Sequence, residues 1–254
     1  MKVFSVIGLH RSGKTTAVEN LIGYIKNKGF SVSSIKDIHQ DDFTMEKPGS
    51  NSQRHLMASN SYVFARGQKE TYLIWNRQLR LKEMMSHIQT EWLVIEGMKE
   101  EALPKIIATK NKQDLEQLLD DTVFAITGPY SEEISEYKGI PVINAISDIE
   151  KLGDLTLQKV FDVLPFANEG FCGHCGFSCR QMTSMILKGE KNRECCGLKK
   201  SSKISIKFNG EEVPVNEWVE KLSIDLIVAL CKNLKGYKDG DEIEVGIQSY
   251  NISP

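Results

Sequence analysis

Near the N-terminus, the mostly apolar run Val3 to Ile7 leads directly into Gly8-Leu9-His10-Arg11-Ser12-Gly13-Lys14-Thr15-Thr16. Such a run has the pattern of a strand buried on both faces. Gly8 and Gly13 bracket four residues and are followed by Lys and Thr, the spacing of a loop whose backbone N–H groups face a polyphosphate while it turns a strand into a helix. The helix is legible as well: Val18, Leu21, Ile22 and Ile25 fall at i, i+3, i+4 and i+7, and Gly29 suits its C-terminal end. A chain that begins strand, phosphate loop, helix must hold that strand in a sheet covered by helices, with the ligand at the strand's carboxyl end.

The same order recurs downstream. Strand patterns are expected at Phe30 to Ile35, Thr71 to Trp75, Trp92 to Ile95, Lys105 to Ala108, Val123 to Thr127 and Pro141 to Ile143, with helical patterns such as Leu79 to Ile88, Asp114 to Leu119 and Thr156 to Phe161. This predicts an α/β protein, a P-loop NTPase three-layer fold with a mainly parallel sheet over residues 1–165. A cysteine-rich metal module follows at 166–199. A small β-β-α-β C-terminal unit at 200–254 combines a hairpin turning at Asn209-Gly210, a helix with Trp218, Leu222, Leu226 and Leu230 four apart, and the strand "DEIEVGI". Between Asp37 and Ser61 the pattern lapses into a long polar stretch, a length that in compact domains is usually functional.

The phosphate chemistry assigns roles. Lys14 supplies a point charge near the β- and γ-phosphates and is a catalytic candidate; the Thr15 hydroxyl reaches Mg2+; Gly8, His10, Arg11, Ser12, Gly13 and Thr16 complete the nucleotide-binding loop. Glu96, after the apolar strand Trp92 to Ile95, fits the acid that organises Mg2+ or its water, and is the second catalytic candidate. The other reading of Glu96 is an ordinary exposed glutamate. Asn111-Lys112-Gln113-Asp114 follows a strand where GTP-binding proteins carry a guanine-reading Asn-Lys-x-Asp, and the Asp114 carboxylate would accept from guanine N1–H and the exocyclic amine. A solvated turn with a capping aspartate is the competing reading. No catalytic arginine or glutamine stands out beyond Arg11, so any hydrolysis is expected to be slow.

Composition narrows the partners. Among 254 residues, 32 basic and 34 acidic side chains nearly cancel, and no long run of one sign occurs, which argues against a non-specific nucleic-acid binder. The start lacks signal-peptide features, and no apolar run nears the roughly 18 residues of a membrane span. A cytoplasmic protein is expected, and in that compartment clustered cysteines are metal ligands or redox groups more often than disulfides.

"GLHRSGKTT", "IKDIHQDDFTMEKPGSNSQRHLMAS" and "LVIEGMK" together resemble the molybdopterin-guanine dinucleotide biosynthesis protein B (MobB) family, in the same order and at similar spacing, over about residues 1–165. The resemblance implies a dimeric GTP-binding protein, using GTP and Mg2+, that assists the molybdopterin guanylyltransferase (MobA-type) joining GMP to the molybdopterin cofactor. Within it, Lys36, His39, Pro48, Gly49, Ser52 and Arg54 match the family's Lys-His-x-His-His and Asp-x-Pro-Gly-x-Asp-Ser-x-Arg pattern, while Asp37, Gln40, Glu46 and Asn51 depart from it. His39 is either a phosphate or cofactor contact or a solvated loop histidine.

Five of six cysteines fall between Phe171 and Gly197, and Cys172, Cys175, Cys179 and Cys195 have the spacing C-x2-C-x3-C-x15-C. Glycines between them permit tight turns toward one centre. The segment resembles the four-cysteine iron-sulfur motif of corrinoid iron-sulfur proteins, each longer gap being about one residue short, so a 4Fe-4S cluster is the first expectation. Tetrahedral Zn2+, with His174 or Cys196 as further ligands, is the second, and a structural or disulfide role the third. Cys231 lies in the apolar helix and is most simply a packing residue. The leading functional reading is a GTP-binding protein of the MobB type that assists attachment of GMP to molybdopterin in molybdenum or tungsten cofactor maturation, with weak GTPase activity. A nucleotide-switched redox regulator or electron carrier and a small-molecule or nucleotide kinase are the alternatives.

Overall fold

The computed structural model describes residues 1–40, 43–44, 46–165, 175–196, 204, 206–208, 211–213, 215, 217–238, 243 and 245. The chain opens with β1 (Lys2–Ile7), α1 (Lys14–Asn27) and β2 (Val32–Lys36), followed by α2 (Asn51–Ser59) and a hairpin of β3 (Tyr62–Arg66) and β4 (Thr71–Trp75). Next come α3 (Leu81–Met85), β5 (Trp92–Glu96), β6 (Lys105–Ala108), α4 (Lys112–Leu118) and β7 (Val123–Thr127). The short strands β8 (Glu136–Tyr137) and β9 (Ile140–Pro141), then α5 (Ile149–Lys159) and α6 (Cys179–Leu187), precede β10 (Ile206–Phe208), β11 (Glu211–Val213) and α7 (Glu217–Cys231).

The main sheet has the order β2-β5-β1-β6-β7 and every pairing in it is parallel. Strands β1, β5, β6 and β7 are buried almost throughout, which is why they read as apolar runs rather than alternations. Alternate side chains serve opposite faces. Phe4, Val6, Val94 and Ile106 pack with Leu21 and Ile25 of α1 and Leu152 of α5; Val3, Leu93 and Ile95 meet Leu81 of α3; Ile7, Ile107 and Ile126 meet Leu115 of α4. The result is helix, sheet, helix. The chain first leaves β1 toward β5 and β2 and later returns to its other side, so the carboxyl end of β1 is a topological switch point.

Three sequence expectations shift. Thr71 to Trp75 is a strand outside the main sheet, paired antiparallel with Tyr62 to Arg66, a strand that the sequence reading omits. Pro141 to Ile143 contributes only a short pairing with β8 and a single bridge from Val142 to Ile126. The polar stretch from Asp37 to Ser61 contains a helix, α2, because the Ser50 hydroxyl accepts from the Gln53 N–H at 3.1 Å and caps it. Only Leu56 of that helix is buried, which is why no apolar periodicity announces it. In the C-terminal unit the hairpin and helix form, and the expected strand "DEIEVGI" lies largely outside the described residues.

Helix α6 is bolted to the first unit. Leu187 joins the main core, the Thr183 hydroxyl donates to the Ala102 carbonyl at 3.0 Å, and Lys159 Nζ donates to the Leu187 carbonyl at 3.0 Å. Arg180 reaches furthest: one nitrogen lies 2.9 Å from Asp120 Oδ2 and another donates to the Glu100 carbonyl at 2.5 Å. Asp120 Oδ2 also sits 2.6 Å from Nζ of Lys105, a lysine with 0% exposure inside β6. Burial lowers the Lys105 pKa, with Asp120 opposing it. Burial pushes the Asp120 carboxyl up, but hydrogen bonds from Lys105 and Thr122 outweigh this and hold it below the usual carboxylate range.

Asp120→Ala strands a buried ammonium and is expected to cost about 3–5 kcal/mol of unfolding free energy by urea denaturation. Adding Lys105→Met should recover part of the loss. Because the folded-state pKa of Asp120 is depressed, its contribution is complete above the ordinary carboxylate range and is lost as pH falls through the lowered value.

Candidate nucleotide site and cysteine segment

The loop between β1 and α1 is shaped by backbone constraints that particular residues meet. Gly13 has φ 90° and is the N-cap of α1, a left-handed conformation that glycine adopts without steric cost. Gly8 approaches the Ala108 carbonyl and the Ser12 hydroxyl so closely that a Cβ would collide with both. Arg11 also has a positive φ, 57°, and its side chain, like that of His10, is exposed. No side chain caps the start of α1, so its first N–H groups remain available, and the buried Ser12 hydroxyl has no hydrogen-bond partner among the described residues. Unclaimed donors at a helix N-terminus fit an anion.

Lys14 Nζ folds back onto the Leu9 carbonyl at 2.7 Å. Burial lowers its pKa, Glu96 opposes the shift, and Lys36 reinforces it. The Thr15 hydroxyl lies 3.1 and 3.2 Å from the two carboxylate oxygens of Glu96, while Thr16 is exposed. Glu96 is only 8% exposed, so it is not the ordinary surface glutamate that was the other reading. It also accepts from Lys36 Nζ at 3.1 Å. Hard oxygen donors from Thr15 and Glu96, close together beside a phosphate loop, suit Mg2+. Lys36 is the residue that motif spacing leaves without a role, because its position depends on the β2–β5 register.

The Asn111–Asp114 segment begins α4. Asn111 Oδ1 accepts from the Asp114 N–H at 2.8 Å, so the cap is the asparagine rather than the aspartate, and its side-chain oxygen is occupied. Lys112 is exposed and faces Glu116 at 3.9 Å. Asp114 retains a buried carboxylate oxygen without a hydrogen-bond partner among the described residues. In the long stretch after β2, Asp37 Oδ2 accepts from the Met98 N–H at 3.2 Å and lies 3.3 Å from His39 Nε2. Glu46 accepts from the Ser50 and Ser52 hydroxyls at 2.6 and 2.7 Å, so this departure from the family pattern holds the start of α2. Arg54 is exposed on that helix.

The cysteines divide differently from the expected C-x2-C-x3-C-x15-C set. Cys172 lies outside the described residues, as does His174. Cys196, 3% exposed, is buried with Leu164 and Met182, and Cys175 and Cys179 pack against the same cluster. Cys195 is exposed, its Sγ 3.2 Å from Asn192 Oδ1. The reason lies in the short 3-10 turn Arg193–Cys196, which rotates adjacent side chains by about 120° so that they point in different directions, and whose Arg193 grips the Asp162 carbonyl at 2.9 Å. Among the described residues no group of three His, Cys, Asp or Glu side chains is arranged to hold a metal ion, and no disulfide joins the cysteines. No helix of the described residues is long and apolar enough to cross a membrane.

Comparison with known proteins finds similarities over the same region. Residues 3–128 match Molybdopterin guanine dinucleotide synthesis protein B. A Methanocaldococcus jannaschii protein provisionally named a molybdopterin-guanine dinucleotide biosynthesis adapter is 29% identical, over 97% of this chain and 97% of its own length. The Haemophilus influenzae molybdopterin-guanine dinucleotide biosynthesis adapter protein is 28% identical, covering 52% of this chain and 77% of its own length. The crystal structure of Bacillus subtilis MobB aligns with a TM-score of 0.54 and 25% identity, over 64% of this chain and 100% of that one. The family match runs from β1 through β7 and so contains the phosphate loop, whereas the similarity to the M. jannaschii protein extends over nearly the whole chain.

Cys196→Ser places a hydroxyl in an apolar cluster and is expected to lower stability by about 1–3 kcal/mol in thermal or urea denaturation. Cys195→Ser should stay within about 0.5 kcal/mol of the parent.

Proposed function

We propose that this chain is a GTP-binding adapter of the MobB type that assists a molybdopterin guanylyltransferase in attaching GMP to molybdopterin during molybdenum or tungsten cofactor maturation. The observation that carries this reading is the joint position of Lys14, Thr15 and Glu96 at the switch point of the sheet, in a chain whose relatives bear the adapter name. The α1 N-terminus and Lys14 take the phosphates, with Gly8, Gly13, Ser12 and Thr16 shaping the loop and His10 and Arg11 at its rim. Thr15 and Glu96 would hold Mg2+, which when bound would supply charge neutralisation at the phosphates. Guanine preference rests on Asp114, whose unpartnered carboxylate oxygen can accept a base N–H, with Asn111 and Lys112 shaping that turn. Any GTP hydrolysis is expected to be slow, since no catalytic arginine or glutamine stands out in the sequence beyond Arg11. The kinase alternative is less well supported, because the relatives bear the adapter name and Arg54 is solvent-exposed on α2.

Self-association belongs to the same proposal. Tyr62 and Phe64, on one face of the β3–β4 hairpin and in edge contact with each other, are 52% and 64% exposed, an aromatic surface suited to a second copy. Calorimetry with GTP and Mg2+ tests the site: Lys14→Ala should weaken binding at least about tenfold. Asp114→Asn should move preference toward xanthosine nucleotides, and unchanged selectivity would remove Asp114 from the base site. Pull-down of a molybdopterin guanylyltransferase by the full chain tests the adapter role, and turnover of a phosphate acceptor would favour the kinase.

A metal centre in the cysteine segment is a separate proposal, supported by the spacing of Cys172, Cys175, Cys179 and Cys195 and by the shared cluster of Cys175, Cys179 and Cys196. The described thiols do not by themselves form a ligand set. The test is anaerobic purification of the full chain with iron, sulfide and zinc analysis. Acid-labile sulfide supports a 4Fe-4S cluster, stoichiometric zinc supports Zn2+, and the absence of all three removes the centre and with it the redox-regulator alternative.

A further inference from the structure

Lys36 stands at the carboxyl end of β2, two strands from the phosphate loop, and its Cα is in register with that of Glu96. Its Nζ rests 3.1 Å from Glu96 Oε1 while the side chain remains 57% exposed. The neighbouring Asp37 turns its Oδ2 to the Met98 N–H at 3.2 Å and to His39 Nε2 at 3.3 Å, while Lys36 pairs with Glu96. Glu96 therefore has two ammonium groups in its neighbourhood, Lys14 folded onto the loop and Lys36 paired with it from β2. A cation on a flexible, exposed stem beside a phosphate loop is complementary to a further phosphate group.

We propose that Lys36 is a second phosphate-binding cation, specific for the terminal phosphate of a nucleoside triphosphate. This rests on the nucleotide reading of the loop and deepens it. The β-phosphate of a diphosphate is already served by the α1 N-terminus and Lys14. A third phosphate would extend beyond Lys14 toward Glu96, where Lys36 stands at the end of β2. Glu96 holds Lys36 in reserve when its carboxylate has no other counter-charge. Once that carboxylate is committed to a divalent cation, the flexible lysine stem is free to swing its head onto the new anion. The residue thereby distinguishes triphosphate from diphosphate, which an adapter needs if its partner contacts depend on the bound nucleotide.

The competing role is plain neutralisation of Glu96, and the two separate by ligand. Calorimetry of the full chain with Mg2+ should compare GDP with a non-hydrolysable imido analogue of GTP, for the parent, Lys36→Met, Lys36→Arg and Lys14→Ala. The expected result is about tenfold weaker binding of the triphosphate analogue to Lys36→Met, GDP affinity within about twofold of the parent, and recovery in Lys36→Arg. Equal weakening of both nucleotides, or no change in either, overturns the role of Lys36 while Lys14→Ala still reports on the phosphate loop. Unchanged affinity in Lys14→Ala, or no nucleotide binding by the parent, overturns the phosphate-site reading and the inference with it.

Discussion

Glu96 ends a strand that is buried along its whole length, and its charge must be answered by groups carried on other segments of the chain. Thr15 answers it from the start of α1 and Lys36 from the end of β2. Those two segments lie on opposite sides of β5 in the sheet, so the carboxylate ties the phosphate loop to the sheet edge. A buried carboxylate without such partners would be neutralised or would destabilise the fold. The parallel sheet makes this arrangement achievable, because its strand ends all point to one rim while its apolar faces are sealed by helices.

A second buried charge fastens the cysteine-bearing helix to the same sheet. Lys105, inside β6, needs Asp120, and Asp120 also receives Arg180 from α6. Arg180 and Thr183 then grip the segment from Glu100 to Ala102, which follows Glu96-Gly97 directly. The helix that begins with Cys179 is thus in contact with the connection leaving the acidic strand end, rather than suspended on a linker. By contrast, α7 exposes Trp218, Leu226 and Leu230 at 70%, 58% and 70%, so its four-residue apolar spacing describes a surface.

What was legible in the chain follows from how local each signal is. The strand, phosphate loop and first helix are encoded within a short window, and apolar runs mark the strands that are buried on both faces. The hairpin β3–β4 was only half legible: Thr71 to Trp75 carries a β-rich pattern, but nothing in it says that its partner is Tyr62 to Arg66 rather than the main sheet. Helix α2 was hidden because capping by Ser50 and the grip of Glu46, rather than burial, define it. The same limit applies to the site. Lys14 and Thr15 are visible from spacing, whereas Lys36 acquires meaning only through strand register.

Alone, the sequence determined that a buried strand runs into a phosphate loop and helix, that helices must cover the sheet, and that an acid follows a second buried strand. These are consequences of adjacent residues and their periodicity. Only the tertiary structure decided that Lys36 and Thr15 converge on Glu96, that Asn111 and not Asp114 caps α4, and that Cys196 and not Cys195 faces Cys175 and Cys179. Each of those outcomes depends on a register, a cap or a turn that points neighbouring side chains in different directions, and such geometry is set by packing between segments far apart in the chain.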